Sequence, residues 1–250
     1  MGADSANIVY GRNPVTEALK SGRTVDKIYV QRGERTGSLI ALIAMAKDKR
    51  IPVIEADKQK LEVMCGDSHH QGVVALITDF VYSEPSDMLE LAEQRGEKPF
   101  IIILDGVTDP HNLGAIIRTA NACGVHGIIL PKRNSCGLTA TVFKSAAGAC
   151  EYMKIARVVN IADTINRLKE KNVWIYSAEG GSEKATDIYT TDFSGGVVLV
   201  LGDEGKGISR LVLDESDFHV KIPMLGQINS LNVSVAGGVI MYEILRQRRG

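Results

Sequence analysis

The segment from Phe100 to Ala120, FIIILDGVTDPHNLGAIIRTA, decides the fold class. Its first five residues are apolar without alternation, which is typical of a strand that is buried on both faces of a sheet. A loop rich in Asp, Gly and Pro follows, and the residues after it repeat apolar side chains near the helical period. We therefore predict a strand, a turn at 109–112, and a helix that carries Arg118 on an otherwise apolar segment.

The alternation of strands and helices continues toward the C-terminus. Further strand candidates in this region are HGIILP, KIARVV, VWIYSAE, VVLVLG and FHVKIP. Runs that are apolar on both faces and alternate with helices indicate a mostly parallel sheet covered on both sides. Residues 99–250 are thus predicted to form one α/β domain.

A second, smaller α/β domain is predicted for residues 1–80. Its strand candidates are KIYVQ, RIPVIEA and GVVALITDF, and its helical patterns are NPVTEALKSG, SLIALIAMAKDK and DKQKLEVMC. Residues 81–98 are polar and hold one short helical pattern. We predict that they form a linker that ends in a docked helix.

Composition limits the classes of protein to which the chain can belong. Of its 250 residues 44% are hydrophobic, and the formal net charge is -1, which argues against a protein that coats nucleic acid. No apolar run approaches the roughly 20 residues that cross a bilayer, and the first residues lack the features of a secretory signal, so we expect a cytoplasmic protein. The four cysteines lack CxxC spacing and the five histidines form no known ligand motif. We therefore expect reduced thiols and no metal.

Ligands of parallel sheets bind in loops beyond the carboxyl ends of the strands, and three such loops have unusual residues. The first follows the strand that opens at Phe100. The second, GDEGKGIS at 202–209, has glycines around Glu204 that permit close approach of a ligand. It is not a Walker A loop, because Lys206 is followed by Gly207, and no GxGxxG follows FIIIL, which argues against a nicotinamide or flavin site.

The third loop, PMLGQINSLNVS at 223–234, leads into a helix that we predict from Leu231 onward, with Ser230 as its N-cap. Three arginines near the chain end suit the carbonyl end of that helix. The polar stretch NSLN has two interpretations. It is either a helix cap with one spare polar residue or part of a ligand site.

Taken together, the three loops resemble the sequence motifs of the SpoU/TrmH family of RNA ribose 2′-O-methyltransferases, which use S-adenosylmethionine. The resemblance covers residues 99–249, and the matching residues are Asn112, Gly114 and Arg118; Gly202, Glu204 and Gly207; and Pro-Met-x-Gly with Ser-Leu-Asn-Val-Ser between Pro223 and Ser234. The opening IVYGRNPVTEAL resembles the substrate-binding domain of the subgroup that methylates a guanosine of large-subunit ribosomal RNA. That domain is similar to the RNA-binding fold of ribosomal protein L30e. One departure is Asp203, where many relatives have a small residue such as alanine.

The resemblance implies a SPOUT methyltransferase domain with a deep trefoil knot near its C-terminus, which the usual rule of unthreaded connections does not predict. It also implies a homodimer. The stretch NSLN would lie in the knot, beside the cofactor. By the same resemblance, S-adenosylmethionine is bound by Gly202, Ile222 and Leu231, with walls from Leu201 and from the loop Met224 to Gly226. The residues implied at the reacting centre are Asn112, Arg118, Glu204, Ser230 and Asn232.

The role of Arg118 is open at this point. In the family an arginine here is often assigned as the base that takes the 2′-hydroxyl proton, yet a guanidinium holds its own proton far above neutral pH. Alternatively, Arg118 stays charged, binds a phosphate and stabilises the developing alkoxide, while a phosphate oxygen, Glu204 or water accepts the proton. A third interpretation is an ordinary solvated residue on a helix face.

The RNA contacts of the N-terminal domain are also open. Basic side chains that could contact phosphate are Arg12, Arg23, Lys27, Arg32 and Arg35, although the acidic residues among them equally suit a solvated surface. Two other classes of function remain: a binding-only relative such as a ribosome-assembly factor, and a different nucleotide-dependent enzyme that uses GDEGKG for phosphate. Within the methyltransferase class, a tRNA guanosine is the alternative to ribosomal RNA.

Overall fold

The computed structural model describes residues 7–33, 37–180, 182, 184–203, 205–227 and 229–249. The chain divides into two compact units: residues 1–81 with 137–152, and residues 82–136 with 153–250. Residues 137–152 lie inside the stretch 99–250 that the sequence predicts as one continuous domain. The boundary between the units therefore differs from the predicted one.

The first unit contains a four-stranded sheet. Its elements are β1 (Ile8–Tyr10), α1 (Arg12–Lys20), β2 (Val25–Gln31), α2 (Gly37–Asp48), β3 (Val53–Ala56), α3 (Lys58–Cys65) and β4 (Val73–Ile77). The strand order is β1-β4-β2-β3, and β2 and β3 are the parallel pair. The three predicted strands and three predicted helices are present. The prediction omits β1 because three residues are too few to show a pattern.

Residues 137–152 belong to the first unit because of contacts that are distant in sequence. They form α6 (Ala140–Ser145), which packs on β1, and a 3-10 helix (Ala149–Tyr152), which packs on α1. Arg23 forms an ion pair with Glu151 at 2.9 Å, and the two side chains are only 9% and 5% exposed. The Arg23 guanidinium also lies 4.8 Å from the centre of the Phe143 ring. Removing one partner of a buried ion pair costs about 3–5 kcal/mol, so this pair fixes the segment in place.

The second unit contains a seven-stranded parallel sheet. Its strands are β5 (Phe100–Asp105), β6 (Gly127–Pro131), β7 (Ile155–Val158), β8 (Val173–Ala178), β9 (Thr186–Asp187), β10 (Gly196–Gly202) and β11 (Phe218–Lys221). The strand order is β7-β6-β5-β10-β8-β11-β9, and every neighbouring pair is parallel. The prediction of an α/β fold with a mostly parallel sheet is confirmed. The two-residue strand β9 was not predicted.

Helices cover both faces of this sheet, as predicted. They are α4 (Pro85–Arg95), α5 (Pro110–Ala122), α7 (Ile161–Lys169), α8 (Arg210–Asp214) and α9 (Val233–Arg249). Ile103 of β5 and Val200 of β10 are buried on the face that α4, α7 and α8 cover. On the other face α9 comes very close to β10, since a Cβ atom added to Gly237 would lie 2.7 Å from Cδ1 of Leu201. Glycine at this position therefore lets α9 pack directly on the end of the central strand.

Helix α4 lies within residues 81–98, where the sequence indicates a single docked helix. Met88 of α4 is fully buried in the core of the second unit. The backbone N–H of Ser83 donates to the carbonyl of Ile155 at 2.8 Å, beside β7. Most of this segment is thus integrated into the second unit from Tyr82 onward.

Among the described residues, no helix combines the length and the apolar character needed to cross a membrane. In the same part of the chain, no three His, Cys, Asp or Glu side chains lie together in a way that could hold a metal ion. All four cysteines are free, and Cys65, Cys123 and Cys150 are buried. Burial raises the pKa of the Cys123 thiol to about 11, which makes it unreactive at neutral pH.

Candidate active site

A pocket of about 200 Å³ lies at the carboxyl ends of β8, β10 and β11 in the second unit. Its position fits the rule that ligands of parallel sheets bind beyond the carboxyl ends of the strands. Residues from the second and third of the three loops meet there. The predicted site residues in the lining are Leu201, Gly202, Ile222, Met224, Ser230 and Leu231.

Five of the predicted site residues are not in the described lining, namely Asn112, Arg118, Glu204, Gly226 and Asn232. Gly226 is exposed and does not contribute to the pocket wall, and its neighbour Leu225 is fully exposed. Glu204 lies outside the residues that the structure describes. The wall predicted from Met224 to Gly226 is therefore formed by Met224.

Gly202 is enclosed by the loop that follows it. A Cβ atom at this position would lie 2.3 Å from the carbonyl carbon of Gly207 and 2.4 Å from the amide nitrogen of Ile208. The loop folds back because Asp203 and Gly207 exchange two backbone hydrogen bonds, of 3.1 and 2.9 Å. Gly207 has a φ of 69°, a conformation that glycine adopts without strain. Both glycines are thus required by the shape of this loop.

Asp203 stabilises the same loop with its side chain. Its Oδ1 atom accepts hydrogen bonds from the backbone N–H groups of Lys206 and Gly205, both at 2.9 Å. These bonds hold the pKa of the carboxyl group below its ordinary value. The aspartate that departs from the sequence pattern of the family therefore has a structural role in the loop.

Helix α5 begins earlier than predicted. Asp109 is its N-cap and accepts a hydrogen bond from the backbone N–H of His111 at 3.0 Å, and Pro110 is its first residue. The predicted turn at 109–112 is wrong, because proline in the first helical position and aspartate at the cap favour a helix start. Asn112 consequently lies in the first turn of α5 and is buried.

Asn232 joins the first and third loops. Its Nδ2 atom donates to Oδ1 of Asn112 at 3.0 Å, while its own Oδ1 accepts from the backbone N–H groups of Ser234 at 3.0 Å and Val235 at 3.3 Å. Asn232 is therefore the N-cap of α9, which begins at Val233, and the prediction of Ser230 as the cap is wrong. Ser230 is instead left exposed in the pocket lining.

Arg118 projects from α5 with an exposed side chain. Within the described part of the chain, no residue forms a hydrogen bond or an ion pair with it. Helix α5 packs on α9, where Thr119 lies against Gly238 with 3.7 Å between its Cγ2 and a Cβ added there. Arg118 thus lies on the helix that carries Asn112, and its guanidinium is available to an anion.

Sequence reasoning missed the residues that follow β8. Ala178, Glu179 and Gly180 all line the pocket, as does Lys221 of β11. The dipeptide Glu-Gly after a strand matches no known motif, so motif spacing did not select it. Its position directly after a buried strand of a parallel sheet could have indicated a ligand site.

The basic residues predicted to contact RNA differ in their surroundings within the first unit. Arg12 donates from Nε to the carbonyl of Gln71 at 3.1 Å and from a terminal nitrogen to Oγ of Ser38 at 2.8 Å. Arg32 is highly exposed and lies 3.6 Å from Asp57. Arg23, one of the basic residues predicted as possible phosphate contacts, is buried against Glu151. Arg35 lies outside the described residues.

Comparison with known proteins gives two family matches in this chain. Residues 99–242 match the model of the SpoU rRNA Methylase family, and residues 8–83 match that of the RNA 2′-O ribose methyltransferase substrate-binding domain. A relative from Bacillus subtilis (strain 168), named as a TrmH family tRNA/rRNA methyltransferase, YacO, is 42% identical over 240 residues. That alignment covers 96% of this chain and 95% of the relative.

Two solved structures are similar over nearly the whole chain. The AdoMet-bound rRNA methyltransferase from Sinorhizobium meliloti has a TM-score of 0.77 and 26% identity, covering 96% of this chain and 87% of that one. The SpoU methyltransferase AviRb from Streptomyces viridochromogenes, in complex with AdoMet, has a TM-score of 0.80 at 23% identity, covering 97% and 90%, and it supports the fold. With both family models matched and the described motif residues gathered in one unit, the chain belongs to the SpoU/TrmH family of RNA ribose 2′-O-methyltransferases, whose methyl donor is S-adenosylmethionine.

Proposed function

We propose that this protein methylates the 2′-hydroxyl of a guanosine in large-subunit ribosomal RNA. The observation that carries the proposal is the presence in one chain of the pocket and of the region 8–83, which matches an RNA substrate-binding domain. The similarity to a solved rRNA methyltransferase across almost the full chain supports a ribosomal substrate. The Bacillus relative is named as a tRNA/rRNA methyltransferase, so a tRNA guanosine is the second candidate substrate.

The pocket fits S-adenosylmethionine. Its walls combine apolar side chains with the backbone at the end of β10, a combination that suits an adenosine, because fixed backbone groups match the adenine edge. We assign the adenosine contacts to Leu201, Gly202, Ile222, Met224 and Leu231. When bound, the cofactor supplies an electrophilic methyl group.

The remaining residues orient the RNA and handle its proton. The hydrogen bond from Asn232 to Asn112 fixes two amides, and the exposed Ser230 precedes Asn232 by two residues in the chain. We assign Arg118 to the phosphate next to the target ribose, where its charge stabilises the developing alkoxide. The proton of the 2′-hydroxyl passes to a phosphate oxygen, to Glu204 or to water. Positioning of the hydroxyl supplies much of the rate.

The trefoil knot, the homodimer and the cytoplasmic location that the resemblance and the sequence imply belong to this proposal. Val235 and Tyr242 on α9 are 52% and 55% exposed. Large apolar side chains on one helix support a face that a second subunit covers.

The substrate is tested by transfer of a labelled methyl group from S-adenosylmethionine to unmodified large-subunit rRNA and, separately, to unmodified tRNA. Digestion to nucleosides then identifies the product. We expect label in 2′-O-methylguanosine from rRNA alone. Label in tRNA alone would overturn the substrate assignment. Label in neither RNA, nor in large-subunit assembly intermediates, would favour a binding-only protein.

Removing the side chain of Asp203 is expected to weaken cofactor binding. Asp203→Ala leaves two loop N–H groups without their acceptor, and we expect the Kd for S-adenosylmethionine to rise roughly fivefold to tenfold, measured by calorimetry. Asp203→Asn keeps an acceptor oxygen, so its Kd for S-adenosylmethionine should stay within about twofold of the wild-type value. Wild-type affinity in the alanine variant would contradict this role.

The same carboxyl group gives the loop a dependence on pH. Because its pKa is lowered, its charged form is present at neutral pH and is lost only as the pH falls through that lowered value.

A further inference from the structure

Glu179 lines the active-site pocket and has no role in the mechanism described so far. It follows β8 directly, at the carboxyl end of the strand. Its side chain is 31% exposed. Strand β8 is also the parallel neighbour of β10, the strand that ends in the glycine loop. The acid and the glycine loop therefore stand at the tips of adjacent strands.

Contacts with β11 hold Glu179 in place. Its backbone N–H donates to the carbonyl of Val220 at 2.9 Å. Its Oε2 atom lies 3.5 Å from Nδ1 of His219, and the same ring nitrogen is 2.7 Å from Oγ of Ser177. On the same rim, Nζ of Lys221 donates to the carbonyl of Ser182 at 3.0 Å. These contacts fix the backbone of Glu179 and place its carboxylate next to His219.

The turn after Glu179 also lies against the loop that carries Ser230. A Cβ atom added to Gly180 would lie 3.3 Å from the carbonyl oxygen of Asn229 and 3.8 Å from Cβ of Ser230. Glu179 therefore belongs to the same compact site as the proposed catalytic stretch.

The chemistry of the lining indicates which part of a ligand Glu179 meets. A carboxylate is an acceptor with two oxygens, and a ribose diol presents two O–H donors. In Rossmann-type nucleotide sites an acidic side chain binds ribose hydroxyls; there it follows the glycine loop by about 20 residues, whereas Glu179 precedes the loop at 202–209. Asp203, another carboxylate in the described lining, already accepts bonds from the loop N–H groups of Gly205 and Lys206.

We propose that Glu179 binds the ribose diol of S-adenosylmethionine. The assignment rests on the pocket being the cofactor site, as argued above. It makes Glu179 a specificity residue that distinguishes ribonucleoside ligands from their deoxy analogues.

Calorimetry with S-adenosylhomocysteine and its 2′-deoxy and 3′-deoxy analogues tests the proposal without turnover. In the wild-type protein we expect at least one analogue to bind roughly tenfold more weakly than the parent. The affinity of Glu179→Ala for S-adenosylhomocysteine should be lower than that of the wild type by a similar factor. The same deoxy analogue should bind this variant no more than about twofold more weakly than S-adenosylhomocysteine does. Glu179→Gln keeps one acceptor oxygen, so its affinity for S-adenosylhomocysteine should lie between those of the wild type and Glu179→Ala.

Controls separate this result from other causes. Glu170→Ala removes an exposed carboxylate that is not part of the pocket lining and should bind as wild type. Thermal unfolding of each variant shows whether the protein is folded. Discrimination against the deoxy analogues that survives in Glu179→Ala would overturn the proposal. A loss of affinity for cationic S-adenosylmethionine alone would overturn it too, because the carboxylate would then recognise charge. Absence of binding by the wild-type protein would instead refute the cofactor site itself.

Discussion

A Gly202→Ala protein is expected to lose about a hundredfold or more in affinity for S-adenosylmethionine while both units stay folded. The added methyl group would lie 2.3 to 2.6 Å from backbone atoms of Gly207 and Ile208, and backbone cannot rotate aside as a flexible side chain can. The loop must therefore leave its place over the pocket. Overpacking of this kind typically costs about 1–3 kcal/mol.

The chain offers a matched control for this substitution. Gly226 lies in the third loop, and a Cβ atom there would meet no heavy atom within 4 Å. Gly226→Ala should therefore bind the cofactor as wild type. Calorimetry measures the affinity, and circular dichroism with thermal unfolding measures the fold. Unchanged cofactor affinity in a folded Gly202→Ala protein would show that the loop does not form the site.

An Arg118→Ala enzyme is expected to lose about two to three orders of magnitude in the single-turnover rate of methyl transfer, with the cofactor Kd unchanged. The reason is that Arg118 is exposed, lies outside the cofactor lining and has no described partner in the protein. Arg167, exposed on α7, is the control, and Arg167→Ala should react as wild type. A near-normal rate for Arg118→Ala would show that Arg118 is an ordinary solvated residue of α5.

Arg118→Lys separates the two chemical roles of the guanidinium. Lysine keeps the positive charge but cannot reproduce the bidentate fork, so a phosphate clamp predicts a large loss at every pH. A general base predicts a near-normal rate with a pH optimum moved toward that of lysine. The pH profile of the single-turnover rate therefore decides between them.

The strands of the second unit were predictable because they are buried on both faces. FIIIL and VVLVL contain no polar residue, and short apolar runs rich in Ile and Val that end at turn residues favour a covered parallel strand. The cap of α9 was not predictable in the same way. Asparagine and serine are equally good N-caps, so local preference cannot choose between Ser230 and Asn232. The choice is made by Asn112, which is distant in sequence and bonds Asn232.

Local sequence patterns also could not predict the unit boundary or part of the site. Residues 137–152 join the first unit through the buried pair of Arg23 and Glu151, and a pairing across such a sequence separation leaves no periodic signal. Motif spacing selected the glycine loop and NSLN, and residues of both line the pocket. It did not select Glu179, which also lines the pocket, because a lone acid after a strand is common and has no distinctive spacing.

The pairing of β5 with β10 at the centre of the sheet has a consequence for the folding rate. Ile101 pairs with Val198, so the central ladder closes a loop of roughly a hundred residues before it gains any hydrogen bond. Such non-local pairing makes folding slow. The described pocket residues come from Ala178 onward, in the part of the chain that this ladder joins to β5. Because S-adenosylmethionine needs these residues in their folded arrangement, it stabilises the folded unit by mass action.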